Sequence, residues 1–389
     1  MLDKNRKITY NLNNRRYAVM KKLGFGLMRL PQLEKDCQNV VDLAAASKMA
    51  DEFIANGFTY FDTAAPYHSG QSETVFREAV AKRYPRDAYT ITDKLSMFMI
   101  KDEKEIPGFF EGQLERLGVD YLDYYLLHGL GEVTYRQSER MHAFDFVKKL
   151  KAEGRVKHIG LSFHDKAALL EEILTKHPEM EYVQLQINYV DWEDDNIQAR
   201  KCYEVATKFG KPVIVMEPVK GGSLATVPEQ VEKMFKNYAP DMSAASWAVR
   251  FAASHENVMM VLSGMSNDEQ LRDNMSFMKE FKPLSDVETG IVMTAADIIK
   301  NNITIPCTAC RYCVDDCPKH IAIPDCFSIY NNMKRFEGKQ TFVAATYYEN
   351  LIQNNGRAGD CIKCGKCEKL CPQHLPIREY LKEVSAALD

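Results

Sequence analysis

The 389-residue chain predicts an α/β protein, a (β/α)8 or TIM barrel followed by a small, mainly helical domain. Three observations carry this expectation. Short β-rich runs alternate with helical patterns eight times between residues 20 and 285. Glycines stand at four of the helix-to-strand junctions. Eight of the eleven cysteines fall in two identically spaced runs beyond residue 306. Strict alternation of buried-type strands with helices means a parallel sheet, and eight such units close it into a barrel.

The strand candidates run in order over 23–28, 60–63, 89–94, 122–127, 157–162, 182–187, 213–216 and 258–262. Between them, 37–56, 72–83, 105–117, 143–153 and 166–176 carry apolar residues at three- and four-residue intervals, the helical period. Gly57, Gly118, Gly154 and Gly210 each follow such a stretch and precede a strand, where a left-handed helix stop belongs. The expected organisation is a barrel over 20–285, a linking helix over 286–302 and a cysteine domain over 303–389. Helical patterns at 325–336 and 346–354 separate the two cysteine runs, so the cysteine domain is expected to be helical rather than a tight hairpin.

A hydrophobic content of 46% with 27% charged residues is ordinary for a protein with a buried core. The net charge of -4 gives no reason to expect nucleic acid. No apolar run approaches membrane-spanning length. Residues 1–20 are polar and basic, without the apolar core of a signal peptide, so a cytoplasmic location is expected.

The cysteines are the most specific signal. Cys307, Cys310, Cys313 and Cys317, then Cys361, Cys364, Cys367 and Cys371, repeat one spacing of two, two and three intervening residues, each run followed by proline. Three thiolates so spaced can meet three corners of one cubane, while the fourth usually ligates a second cluster. Two [4Fe-4S] clusters are therefore expected. One takes Cys307, Cys310, Cys313 and Cys371; the other takes Cys361, Cys364, Cys367 and Cys317. A zinc site would more often use two cysteine pairs with a long interval, and a disulfide frame would belong to an oxidising compartment. Cys37, Cys202 and Cys326 are left over, the first two as small buried hydrophobes.

In a barrel of this kind, reactive groups sit at the C-terminal ends of strands. Asp62, Tyr67, Lys94 and His128 occupy that place on strands two, three and four. Reducing a carbonyl leaves charge on oxygen and needs a proton donor in line. Tyr67 can be that donor, with Lys94 lowering its pKa, Asp62 holding Lys94 charged and His128 orienting the carbonyl. The run Phe61-Asp62-Thr63-Ala64-Ala65-Pro66-Tyr67, then Glu73, Lys94 and His128, resembles the aldo-keto reductase family. The likeness continues through Gly160-Leu161-Ser162, Gln186, Pro218, Ser263-Gly264-Met265-Ser266-Asn267 and Asp273-Asn274. The added cysteine domain resembles that of a subgroup with a C-terminal 4Fe-4S ferredoxin-type domain.

The loops after strands seven and eight, where such barrels hold phosphate, carry Lys220-Gly221-Gly222-Ser223 and Ser263-Gly264-Met265-Ser266. The resemblance implies NADP or NAD. It places Ser162 and Gln186 at the carboxamide, Met216 at the nicotinamide face, Gly264 and Gln270 near the 2'-phosphate, and Asp273 and Asn274 at the adenine. Phe163 stands where the family usually has Asn, Met216 where an aromatic commonly stacks, and Gly264 and Gln270 where a basic residue is frequent.

Taken together, the sequence points to an oxidoreductase acting on a small carbonyl or alcohol, coupled to electron transfer through the clusters. Two clusters can hold two electrons, the count of one hydride. Nicotinamide does not readily split its electron pair, so a flavoprotein or ferredoxin partner is expected. A different class of reading makes the chain an electron-transfer or redox-sensing protein with the barrel as scaffold; a third makes the clusters structural staples. The loops 129–139 and 190–196, with Tyr135, Arg136 and Trp192, are the expected substrate contacts.

Overall fold

The structure, a computed structural model, describes residues 21–389 except 34–39, 196, 302–303, 308, 310, 312, 315, 336–340 and 372–373. Cys37 and Cys310 therefore lie outside the described residues. Eight parallel strands close into a barrel in sequence order: β1 Leu23–Gly26, β2 Tyr60–Asp62, β3 Thr90–Leu95, β4 Leu122–Leu130, β5 Val156–Phe163, β6 Tyr182–Gln186, β7 Val213–Met216 and β8 Val258–Gly264. Every expected strand is present, with ends shifted by no more than three residues.

The helices between them are α1 Leu43–Ala55, α2 Ser72–Phe76, α3 Glu105–Leu117, α4 Glu132–Arg140, α5 Ala143–Ala152, α6 Ala167–Lys176, α7 Ala199–Lys208, α8 Glu229–Tyr238, α9 Ala244–Ser254 and α10 Asp268–Met278. Local chemistry sets their ends. The Asp42 carboxylate accepts from the Ala45 N–H at 3.0 Å, and the Asn267 side chain accepts from the Gln270 N–H at 2.9 Å, each capping a first turn. Gly118 stops α3 in the left-handed region at φ 67°. The helix α11, Asp286–Lys300, opens on a Ser285/Glu288 capping box and buries Val292, Ala295, Ala296 and Ile299 in the barrel's outer core.

Strand parity divides the barrel into two compartments. Phe25, Phe61, Ile91, Tyr125, Leu161, Val183 and Val261 face the helices in one large core. The alternate positions Tyr60, Tyr124, Tyr182, Ile214 and Met260 form a second cluster that fills the interior. Two glycines make room for it. A Cβ on Gly160 would lie 2.6 Å from the Tyr182 carbonyl and 2.7 Å from its ring, and one on Gly24 would lie 2.7 Å from Leu262.

The cysteine domain has its own core. It is built on α12 Ile323–Arg335, α13 Thr341–Ile352, the short α14 Lys366–Leu370 and α15 Ile377–Leu388. Arg311 and Asp325 join the first cysteine run to α12 through a forked pair at 2.8 Å.

Filling the interior at Gly160 is expected to cost about 1–3 kcal/mol, the usual range for overpacking. Gly160→Ala should lower the thermal unfolding midpoint. Gly108→Ala, in α3 with nothing within 4 Å, should raise it or leave it unchanged. Equal midpoints for the two variants would contradict the packed interior. A second outcome concerns His255, which stacks on Trp192 at 4.1 Å and is held by burial down at about 4, from an ordinary 6.5. The unfolded chain binds that proton first, so stability is complete above pH 6.5 and is lost as pH falls toward 4. Unfolding followed across that window should be less pH-dependent in His255→Gln.

Candidate active site and cysteine centre

Above the aromatic layer the inward-facing positions turn polar. Lys94 ends β3 almost wholly buried at 1% exposure, and Asp62 ends β2 at 3%. The Lys94 ammonium donates to Asp62 Oδ1 and to the Thr63 carbonyl, both at 2.6 Å, while Gln184 donates to Asp62 Oδ2 at 3.2 Å. Tyr67 lies over this pair, its ring centroid 4.8 Å from the Lys94 nitrogen. His128 meets the Tyr67 ring edge-on at 6.0 Å, and its Nδ1 lies 2.7 Å from Ser96 Oγ. The four side chains expected to act together are thus brought together.

The electrostatics differ from the expectation in one respect. Burial raises the Tyr67 phenol above 10; Lys94 pulls it down, Asp62 pushes it up, and the net direction is upward. Lys94 therefore offsets burial without overcoming it, and the phenol keeps its proton at neutral pH. Burial, followed by the Lys94 and His164 charges, holds His128 well below 6.5 and hence neutral. Burial works against the charge on Lys94, yet Asp62 and Tyr67 hold its pKa above 10.5.

Behind β3 a second set of charges fixes the first. Glu73 pairs with Arg116 and accepts from Gln113 Nε2 at 3.3 Å, and Gln113 also donates to the Lys94 carbonyl at 3.0 Å. Tyr125 donates to Gln113 Oε1 at 2.7 Å. Burial, then the neighbouring Glu73 charge, lifts Asp93 far above the carboxylate range, so it stays protonated. Left-handed residues other than glycine gather at the same rim, with His68 and Ser69 after Tyr67 and Glu217 and Lys220 after β7.

On the remaining strands the expected cofactor residues stand around the rim. Ser162 Oγ accepts from the Gly129 N–H at 2.7 Å. Met216 is half-buried at the end of β7. Gly221 and Gly222 follow it at φ 64° and 96°, a backbone only glycine adopts freely. Asn274 donates to Ser263 Oγ at 2.7 Å, Ser266 Oγ donates to the Arg29 carbonyl at 2.9 Å, and Gln270 accepts from the Ser266 N–H at 2.8 Å. Gly264 lies under the Arg29 side chain, and Asp273 accepts from Ser243 at 2.7 Å. Arg272 is committed to Glu52 by two bonds at 2.7 and 2.9 Å.

Gln186 is different, because a residue of the cysteine domain reaches it. The Tyr347 hydroxyl of α13 donates to Gln186 Oε1 at 2.9 Å, and its ring meets His164 edge-on at 6.3 Å. Gln186 Nε2 donates to Asp191 at 2.8 Å, and Asp191 forms a buried ion pair with Lys220 at 2.6 Å. Both ends of the Gln186 amide are engaged. Sequence reasoning missed Tyr347, Asp191 and Gln184, since each acts through a partner distant in sequence, and it placed Lys220 in the phosphate loop without its pairing to Asp191. It also assigned Tyr135, Arg136 and Trp192 to the substrate. Residues 132–140 form a helix instead: Tyr135 is buried against Phe144, Arg136 pairs with Glu132 and Glu172, and Trp192 stacks on His255.

In the cysteine domain, Cys317 of the first run and Cys361, Cys364 and Cys367 of the second line one hollow, with Ile321, Ile323 and Leu381 behind them. No three His, Cys, Asp or Glu side chains among the described residues close on a single-ion site. None of the described cysteines forms a disulfide. Cys202 is buried in the barrel and Cys326 in α12; burial pushes both thiols up to about 12.

Comparison with known proteins now decides the family. The model of the aldo/keto reductase family matches residues 22–296. The chain belongs to that family. A 4Fe-4S dicluster domain matches residues 306–375, so this aldo/keto reductase carries an iron-sulfur domain at its C-terminus. "Uncharacterized oxidoreductase YqkF" of Bacillus subtilis is 24% identical over 281 residues, covering 66% of this chain and 89% of that protein. The holo form of the aldo-keto reductase AKR11C1 from Bacillus halodurans superposes with a TM-score of 0.57 at 25% identity, over 70% of this chain and 91% of that one. An aldo-keto reductase from Klebsiella pneumoniae, solved in complex with NADPH, shares the fold at 20% identity with a TM-score of 0.56, over 70% of this chain and 90% of that one.

The chain is thus an oxidoreductase with a (β/α)8 barrel and an iron-sulfur domain. Among the described residues no helix is long and apolar enough to cross a membrane. The Asp62–Lys94 contact makes a checkable demand on folding. Lys94→Met leaves a buried carboxylate without its cation, a loss of about 3–5 kcal/mol, whereas Asp62→Asn together with Lys94→Met removes both charges and should recover much of it. A double variant no more stable than Lys94→Met alone, in denaturant titration, would contradict the pairing.

Proposed function

We propose that the barrel interconverts a small carbonyl compound and its alcohol at Tyr67, and that electrons pass between this site and two [4Fe-4S] clusters. The observation that carries the first half is the Tyr67–Lys94–Asp62 stack with His128 beside it. A protonated phenol and a neutral imidazole converge at the strand ends, over a buried cation able to hold a phenolate. In reduction, the Tyr67 hydroxyl gives its proton to the carbonyl oxygen, and Lys94 stabilises the phenolate left behind. With the Ser96 hydroxyl donating to Nδ1, the His128 proton sits on Nε2 and orients the carbonyl.

A nicotinamide held along β5 to β8 would supply the hydride. The fit to that group is uneven. Gly221 and Gly222 allow backbone approach to a pyrophosphate, whereas Gly264 is covered by the Arg29 side chain and the Gln186 amide is taken by Tyr347 and Asp191. The carboxamide end therefore opens only when Tyr347 releases Gln186. This engagement favours a second reading, in which the chain with α13 seated carries electrons without nicotinamide.

The hollow lined by Cys317, Cys361, Cys364 and Cys367 supports one complete cluster ligand set drawn from both cysteine runs. Four thiolates around a zinc ion would sit roughly 3.8 Å apart, twice the sulfur-bond length scaled to a tetrahedron. Thiols set around a hollow suit a cubane better. Cys307, Cys310, Cys313 and Cys371 would form the other set. The Tyr347 contact supports the coupling, because it sets the helix between the two runs against the rim that holds His164 and Gln186.

Tyr67→Phe should cut carbonyl turnover about 10²- to 10⁴-fold, the worth of one positioned acid, with cofactor binding nearly unchanged; full turnover would move the chemistry elsewhere. Reduction by the native chain should stay level up to pH 9 and fall only as Tyr67 titrates above 10. Lys94→Met, which removes the downward pull on Tyr67, should move that limb higher still while slowing turnover.

Anaerobically reconstituted chain should hold about eight iron and eight acid-labile sulfide, and Cys317→Ser should lose the cluster of the second run. Two zinc and no sulfide would overturn this. Tyr347→Phe should tighten NADH or NADPH binding about fivefold, the worth of one hydrogen bond; equal affinity, read by fluorescence titration, would place the carboxamide away from Gln186.

A further inference from the structure

The hollow of the second cysteine run opens to the surface. Cys364 is exposed, while Cys313, Cys367 and Cys371 are buried. Ile362 lines it at 57% exposure, and Leu370, one helical turn beyond the lining residue Lys366, stands at 39%; both are among the few large apolar side chains so exposed. Around them the surface is basic. Within residues 361–371 three lysines, Lys363, Lys366 and Lys369, face one acid, Glu368, which Arg378 neutralises through bonds at 2.8 Å. Lys319 and Lys366 line the hollow itself. The four lysines are exposed, and none has a carboxylate partner among the described residues. The Asp360 side chain, next to the run, is turned back onto the Arg357 N–H at 2.9 Å. Such a patch stands out on a chain whose net charge is -4.

We propose that this face, with Ile362 and Leu370 at its centre and Lys319, Lys363, Lys366 and Lys369 as its rim, docks an acidic one-electron carrier protein. The inference rests on the reading of the second run as a cluster site. A small apolar centre with a charged rim is the anatomy of a transient interface, and electron-transfer encounters lie at the small end of interface size. Unpaired lysines keep their field in solution and raise the encounter rate with an acidic partner, an effect that salt screens. They also offset the negative charge of four thiolates, which would otherwise repel that partner.

The probe is a small acidic [2Fe-2S] ferredoxin, mixed with the iron-loaded full chain. Direct binding is followed by calorimetry at low ionic strength, and cluster reduction by stopped-flow absorbance. The native chain should bind the ferredoxin and accept one electron per encounter, as the reduced [2Fe-2S] centre is oxidised and the cluster reduced. The second-order rate should fall at least tenfold between 20 mM and 500 mM salt. Lys363→Glu/Lys366→Glu/Lys369→Glu should lose binding and at least tenfold in rate. The milder Lys→Gln set should lose part of it, and Lys148→Glu/Lys149→Glu on α5 should change nothing.

Redox titration of each variant separates docking from tuning. A rate loss that follows a shifted cluster potential, with binding intact, overturns the proposal, as does a salt-independent rate or equal loss in the α5 control. If the ferredoxin binds and reduces the cluster while no carbonyl is turned over, the docking face stands and the coupling to the barrel fails.

Discussion

An ammonium ion enclosed by protein is the constraint around which the barrel's upper half is arranged. Lys94 is withdrawn from water, so its charge must be met inside. The β2–β3 register sets Asp62 beside Thr92, two residues below Lys94 on the same face, and the ammonium reaches both Asp62 and the Thr63 carbonyl. Gln184, from the far side of the barrel, completes Asp62. Glu73, Gln113 and Arg116 then fix the backbone of β3 from outside. Burial sets the direction for Tyr67 and His128, and this charge opposes it at the first and adds to it at the second.

The same enclosure gives Tyr67 its direction. A phenol over a buried cation is often pictured as acidified, yet burial here outweighs the lysine and keeps the proton on oxygen. That suits the donor role proposed for it in reduction. In that proposal the cation matters after the transfer, when the phenolate needs a positive neighbour that water cannot provide.

Much of this was legible in the sequence for a definite reason. Strands repeat every two residues, so parity alone sends Tyr60 and Asp62 inward and Phe61 outward, and strand ends mark the reactive rim. Asp62, Tyr67, Lys94 and His128 could be chosen that way. The cysteine spacing was equally local. Tyr347 and Asp191 could not be chosen, because each owes its role to a partner brought near by tertiary folding. Tyr347 and Gln186 are 161 positions apart. Residues 129–139 misled for another reason: their place just after His128 marked them as a variable rim loop, while the structure folds 132–140 into a helix with Tyr135 and Ser138 inward.

The helix carrying Tyr347 lies in sequence between Cys317 and Cys361, two thiols of one hollow. A segment whose two ends are gathered at a single centre behaves as a closed loop, and its middle cannot drift without pulling on that centre. If Cys317 and Cys361 hold one cluster, as proposed, oxygen or chelators that strip its iron would slacken the loop at both ends and let the tyrosine leave the rim. The state of the metal would then be written into the shape of a pocket that contains no metal, and exposure to air would alter the barrel's entrance before any barrel residue was damaged.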